Sequence, residues 1–158
     1  MNKTETILQA SEKAFIMEEE RTEKLNKKAE KIIGVIVIII GLKLIDLEFE
    51  ESLELPLLII SLLSFICFVT SMIVTLFSIR VRQYQGYPRE TEIIDKLNSD
   101  EIDNNESQKV ISIMYLNARE NNAKINDKRA TQLASSSFFL IIGFIFAIAN
   151  RFAGLFFN

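Results

Sequence analysis

Five hydroxyl side chains in one uncharged stretch have the spacing in this chain that most invites a chemical reading. Ser61, Ser64, Ser71, Thr75 and Ser78, with Phe68 among them, follow at steps of three, four, three, four and three. On a helix those steps hold to a single face. Leu62, Leu63, Phe65, Ile66, Val69 and Ile73 fall elsewhere around the axis. A hydroxyl can bond back to a carbonyl of its own helix, so it tolerates surroundings without water. Two uses fit the stripe. Small side chains let helices approach closely, which makes it a packing seam. Alternatively, several copies arranged around an axis line a water-filled path, with Phe68 as a hydrophobic constriction.

Two further groups offer chemistry. Arg80, Arg82, Tyr84, Tyr87 and Arg89 cluster just beyond the stripe. Aromatic faces and guanidinium groups can hold a nucleotide by stacking and phosphate pairing. The same residue types are also the usual anchors at a membrane boundary. Further along, Ile111, Tyr115, Ala118, Asn122 and Ile125 form a helical stripe that contains one amide. An asparagine in such a seam sets register or oligomer state. A partly exposed helix with no partner of its own is the plainer reading.

Other chemistries have little support. The chain has no histidine and a single cysteine, Cys67, so a zinc site and an intrachain disulfide both lack their ligands. The apolar cores of the hydrophobic runs contain no acid that could relay a proton. No serine has a histidine partner, and no glycine-rich phosphate loop occurs. We therefore expect neither an enzyme nor a cofactor. A net charge of −3 gives no case for binding duplex nucleic acid.

The elements that position these groups follow from the distribution of charge. Residues 1–31 carry seven acids and seven bases, whereas the 25 residues from Leu55 to Ile79 carry none. A bilayer solvent produces segregation of that kind. Three spans are expected, at 29–47, 55–79 and 133–157, the last ending in an aromatic tail. The second rises about 37 Å as a helix, enough for a hydrocarbon core of about 30 Å. Pro56 suits its first turn, where a missing N–H costs nothing. Lys43 lies near one end of the first span and can extend its ammonium to the headgroups. A cleaved signal peptide is not expected, because a charge-rich segment, residues 1–31, precedes the first apolar run.

Around these spans the sequence reads as a cytosolic amphipathic helix at 1–28, an acidic external loop at 48–54 and a cytosolic helical region at 80–132. Leu8, Phe15, Thr22, Leu25, Ala29 and Ile32 share a face, so the first helix runs on into its span. Gly86, Tyr87 and Pro88 end the helix after span two, and a short helix over 90–97 follows. From Glu106 to Ala149 there is no proline and no glycine before Gly143, which predicts one long helix entering the third span. Lys and Arg number seven before span one, one in the connector, nine between spans two and three, and one afterwards. The positive-inside rule then puts the N-terminus in the cytoplasm and the C-terminus outside the inner (plasma) membrane. Gly34 with Gly41, and Gly143 with Ala147, offer small faces for packing.

In this layout the chain resembles the SLATT-type and Pycsar-type membrane effectors of bacterial anti-phage signalling. The resemblance is carried by Asn26-Lys27-Lys28-Ala29 before span one and by the hairpin of spans one and two. It continues in Tyr115-Leu116-Asn117-Ala118-Arg119-Glu120-Asn121-Asn122 and Asn126-Asp127-Lys128-Arg129-Ala130. A third span is additional to the two-span SLATT pattern. The resemblance implies an oligomeric effector that impairs the membrane when a nucleotide second messenger or a regulatory protein signals from the cytosol. The resulting expectation is an all-α integral membrane protein, three spans with cytosolic helical extensions, assembled as a homo-oligomeric bundle. The function expected is a pore or membrane-perturbing effector. The alternative is a non-conducting anchor, immunity protein or accessory subunit.

Overall fold

A computed structural model describes residues 3–49, 55–80 and 104–157, and these residues form three helices. Helix α1 spans Lys3–Phe49, α2 spans Leu55–Ile79 and α3 spans Asn104–Phe157. No strand occurs among the described residues, so the chain is all-helical there. Local sequence accounts for the elements. Glu5 and Glu106 lie in the first turns of α1 and α3, where the positive end of the helix dipole favours an acid. Pro56 occupies the first turn of α2 as expected. Past Ile79 one more helical bond forms, from the Arg80 N–H to the Leu76 carbonyl at 3.1 Å.

The chain divides into two compact units, each taking part of α1 and part of α3. The first comprises residues 1–25 and 81–128, the second 26–80 and 129–158. In the first unit the α1 and α3 segments run in the same direction. The Phe15 and Tyr115 rings lie 5.7 Å apart at its centre. The second unit joins the later parts of α1 and α3 to the whole of α2.

Buried residues recur every seven positions in all three helices. In α1 they include Thr4, Ser11 and Glu18, and on a second row Phe15, Ala29 and Ile36. In α2 they are Leu57, Ser64, Ser71 and Ser78, with Ser61, Phe68 and Thr75 interleaved. In α3 the row is Asn122, Arg129, Ser136, Gly143 and Asn150. A sustained seven-residue recurrence is the pattern of left-handed supercoiled packing.

The second unit buries polar side chains beside apolar ones and exposes large apolar ones. Ser61, Ser64, Ser71, Thr75, Ser78, Arg129, Ser136 and Asn150 are buried together with Ile36, Phe68 and Leu133, while Leu58, Leu62, Ile66, Phe77, Ile141 and Ile145 are exposed. Two helices are long and apolar enough to cross a membrane: α2, with mean hydropathy 2.7, and α3 within Asn105–Gly154, with mean hydropathy 2.0. Among the described residues α1 is not one of them. Its uncharged stretch, Ile32–Leu42, has 11 residues. That stretch rises about 16 Å, roughly half of a hydrocarbon core.

Candidate functional site

The buried face of α2 lies along α3 in the second unit, antiparallel and in fixed register. Each seven-residue step down α2 meets a seven-residue step up α3, so the contacts form rungs. At the first rung Arg129, 3% exposed, donates from Nε to the Ser78 carbonyl at 2.8 Å. Ser78 belongs to the last turn of α2, whose carbonyls have no intrahelical donor. A guanidinium there satisfies one of them and opposes the negative end of the helix dipole. The Nη2 of Arg129 also donates to Asn26 Oδ1 on α1, so one side chain ties three helices together.

The second rung is a hydroxyl cluster. Ser71 Oγ lies 2.8 Å from the Ser136 carbonyl, and Ser136 Oγ lies 2.9 Å from the Ser71 carbonyl. Thr75 Oγ1 is 2.5 Å from Ser136 Oγ. Three hydroxyls carry three protons, and more than one arrangement uses them all. With Ser71 and Ser136 each donating to the other's backbone, Thr75 donates to Ser136 Oγ or to the Ser71 carbonyl of its own helix at 2.9 Å. Ser78 donates instead to the Thr75 carbonyl in its own helix, at 2.7 Å.

At the third rung Ser64 Oγ donates to the Gly143 carbonyl at 2.9 Å. Beside it the Phe68 ring, 0% exposed, lies directly on Gly143. A Cβ on residue 143 would meet Phe68 ring carbons at 2.7, 2.8 and 3.2 Å, so glycine is required for this close approach. Phe144 packs edge-on against the same ring, with centroids 5.7 Å apart. Gly34, Gly41 and Gly154 differ, for a Cβ at any of them would meet nothing within 4 Å.

All six residues of the predicted stripe, Ser61, Ser64, Phe68, Ser71, Thr75 and Ser78, therefore lie on the buried face of α2. Their partners on α3 are residues that the sequence reading did not single out as a seam. Arg129, Ser136 and Gly143 recur at steps of seven, and that periodicity is the signal that could have found them.

The first unit has a seam of its own. Asn126, fully buried, donates from Nδ2 to Glu18 Oε1 at 2.7 Å and to Thr22 Oγ1 at 2.9 Å. At its rim Arg21 pairs with Asp127 at 2.6 Å and with Glu18 at 3.4 Å. Its hydrogen bond to the Asp127 carboxylate raises the Arg21 guanidinium above its ordinary value. Of the predicted stripe on α3, Ala118 and Asn122 are buried, and Ile111, Tyr115 and Ile125 are half-buried. Tyr115 is in ring contact with Phe15 of the same chain, and burial pushes its hydroxyl up. Lys124, at 2.8 Å, holds Glu120 below the usual carboxylate range.

No family model, curated protein or solved structure matches this chain. Arg80 is exposed beyond the last turn of α2, whereas Arg82, Tyr84, Tyr87 and Arg89 lie outside the described residues. Among the described residues no three His, Cys, Asp or Glu side chains gather as metal ligands would.

Proposed function

We propose that the chain is an integral membrane protein whose α2 and α3 cross the lipid, with the seam between them as its structural spine. The row of buried polar side chains in the second unit, with large apolar ones exposed on α2 and α3, carries this reading. Burying a large apolar side chain is worth about 1.5–3 kcal/mol, so water is a poor solvent for the exposed Leu, Ile and Phe of α2 and α3. Lipid tails remove that penalty, and they supply no hydrogen bonds. Hydroxyl and guanidinium groups must then find partners inside the bundle, which is where they lie. The α1 segment 29–47 is the third crossing, in which the 11 uncharged residues of Ile32–Leu42 are lengthened by residues 29–31 and 43–47, with Lys43 extending its ammonium to the headgroups. Charge in the loops supports a cytoplasmic N-terminus and an external C-terminus at the inner membrane.

Within that frame the chain acts as a membrane effector under cytosolic control, with the α1–α3 helix pair of the first unit as the part a signal or regulatory protein reaches. Copies of the chain associate through the apolar faces of α1. Within one chain the α2 stripe is taken up by α3. Conduction would require the Ser71–Ser136 and Ser64–Gly143 contacts to part. A second reading, a non-conducting anchor, immunity protein or accessory subunit, is favoured by the completeness of the hydroxyl pairing at the second rung. Two measurements separate them. Resistance to carbonate extraction tests the membrane assignment. Induced expression with a potential-sensitive dye, for the parent and Ser71→Leu, tests conduction. An effector depolarises the cells and the substitution changes the effect. Unaltered potential, with a stable hetero-partner in pull-down, supports the anchor and removes the effector.

A further inference from the structure

The second unit gathers its cations at one end. In the stretches of α1, α2 and α3 at that end (26–36, 66–80 and 129–140) the bases are Lys27, Lys28, Lys31, Arg80 and Arg129, and Glu30 is the one acid. The connector from Lys43 to Glu54, by contrast, holds one base and five acids. Arg129 is buried and bonded to Ser78 and Asn26. Lys28, Lys31 and Arg80 are exposed, and their side chains have no hydrogen-bond or ion-pair partner among the described residues. The Asn26–Arg129–Ser78 contacts also fix their level. Only five residues separate Phe49 from Leu55, so α1 and α2 form a hairpin, and each step forward in α1 matches a step back in α2. Lys28 then stands level with Leu76 and Lys31 with Ile73, about 3 and 8 Å from the Asn26–Ser78 level, and Arg80 lies about 3 Å on its other side. Ile73, Leu76 and Phe77 are exposed as well. Unpaired positive charge and bare hydrocarbon therefore occupy the same level of the bundle.

We propose that this level binds the phosphate of an anionic phospholipid through Lys28, Lys31 and Arg80, with the acyl chains beside Ile73, Leu76 and Phe77. Lysine stems lie along apolar surface and carry the ammonium toward the headgroups, so both lysines deliver their charge at the depth of a lipid phosphate. A guanidinium adds paired N–H donors that fit phosphate oxygens. A water-soluble phosphate would meet the cations and leave the hydrocarbon beside them uncovered, whereas a lipid satisfies both. A basic group next to a span strengthens attachment to anionic lipid about fivefold, so three together exceed about tenfold even when screened. The acidic connector offers no such site, and the preference belongs to one leaflet, the cytoplasmic one in the orientation proposed above. The inference rests on the membrane reading, because only a bilayer supplies phosphate and hydrocarbon together.

The test uses the full chain in nanodiscs of mixed phosphatidylglycerol and phosphatidylcholine. Native mass spectrometry of the released protein reads which lipid stays bound. We expect the parent to retain phosphatidylglycerol over phosphatidylcholine by at least about tenfold, and the triple variant Lys28→Gln, Lys31→Gln, Arg80→Gln to lower that ratio to within about twofold of unity. The charge-keeping triple Lys28→Arg, Lys31→Arg, Arg80→Lys should hold the parent's ratio. So should Lys3→Gln, Lys13→Gln, Lys109→Gln, which removes the same charge from the first unit. A parent without preference, or a glutamine triple that keeps it, would overturn the site. An equal loss in the first-unit variant would do the same, since net charge alone would then be responsible. Displacement of the bound lipid by excess inorganic phosphate at matched ionic strength would show a free-anion site and defeat the lipid assignment. Loss of the parent chain to the carbonate supernatant defeats the membrane reading instead, and it is seen before any lipid is measured.

Discussion

Gly143→Ala is the substitution whose cost the structure defines most closely. An added methyl would stand 2.7 and 2.8 Å from two carbons of the Phe68 ring. Carbon atoms in contact settle at about 3.5–4.0 Å, so the ring or the helices must retreat by roughly 1 Å. The ring has little room to turn, being fully buried and packed edge-on against Phe144. Separation of the helices then stretches the 2.9 Å bond from Ser64 to the Gly143 carbonyl beyond hydrogen-bonding range. Overpacking costs about 1–3 kcal/mol and the lost bond about 1 kcal/mol more, for a sum of roughly 2–4 kcal/mol. For a chain of this length that corresponds to a fall in Tm of about 4–16 °C. Thermal unfolding in mild detergent, followed by circular dichroism, measures it. Gly34→Ala and Gly41→Ala are the controls. An added methyl meets nothing there, and helix propensity favours alanine by about 0.8–1 kcal/mol. Adding Phe68→Leu to Gly143→Ala should recover part of the loss. If Gly143→Ala unfolds within a degree of the parent, the close ring contact does not determine how α2 and α3 pack.

Three other perturbations separate strong contacts from weak ones. Arg129→Lys replaces a fork that reaches Ser78 and Asn26 by a single ammonium that cannot span both, and should destabilise the protein by about 1–3 kcal/mol in the same unfolding assay. Asn126→Ala leaves the largely buried Glu18 carboxylate without its amide donor, at a cost of about 1–3 kcal/mol, while Arg21→Ala at the exposed rim should cost under about 1 kcal/mol. A reversal of that order would mean that the ion pair, not the buried amide, joins α1 to α3. Tyr115 gives a pH dependence: its folded hydroxyl titrates above the ordinary tyrosine value, so its contribution is complete below about pH 10 and is lost as pH rises through the folded value. Absorbance of the phenolate against pH, run beside helix content, should show ionisation and loss of the Phe15–Tyr115 packing together. Ionisation at the ordinary value would remove the effect.

Much of the helical layout was legible because glycine and proline are so sparse. With no proline between Lys3 and Phe49 and no glycine before Gly34, a single helix was the economical reading, and the same holds from Asn104 to Gly143. The face of α2 was readable too, since steps of three and four leave one solution on a helix. Its partner was harder to see. The α3 row changes chemistry at every step, from guanidinium to hydroxyl to glycine to amide, so a reading by residue type passes over it and only the period reveals it. The polar contacts of Asn126 depend on distances between chain segments about a hundred residues apart, which no local pattern encodes. Length is hardest to read in α1, where Lys43 interrupts the span expected at 29–47 and the uncharged part alone, Ile32–Leu42, rises only about 16 Å.

The reciprocal Ser71–Ser136 pair and the Phe68–Gly143 contact together leave the hairpin a single way to close. Sliding α3 along α2 by seven residues, about 10 Å, would keep the same rows facing one another but would bring Ser136 or Asn150 beneath the phenylalanine in place of glycine. Either side chain would hold the helices apart along their whole length. A misaligned hairpin could therefore never tighten, and this pairing has a built-in means of rejecting its nearest errors while the helices are still finding each other.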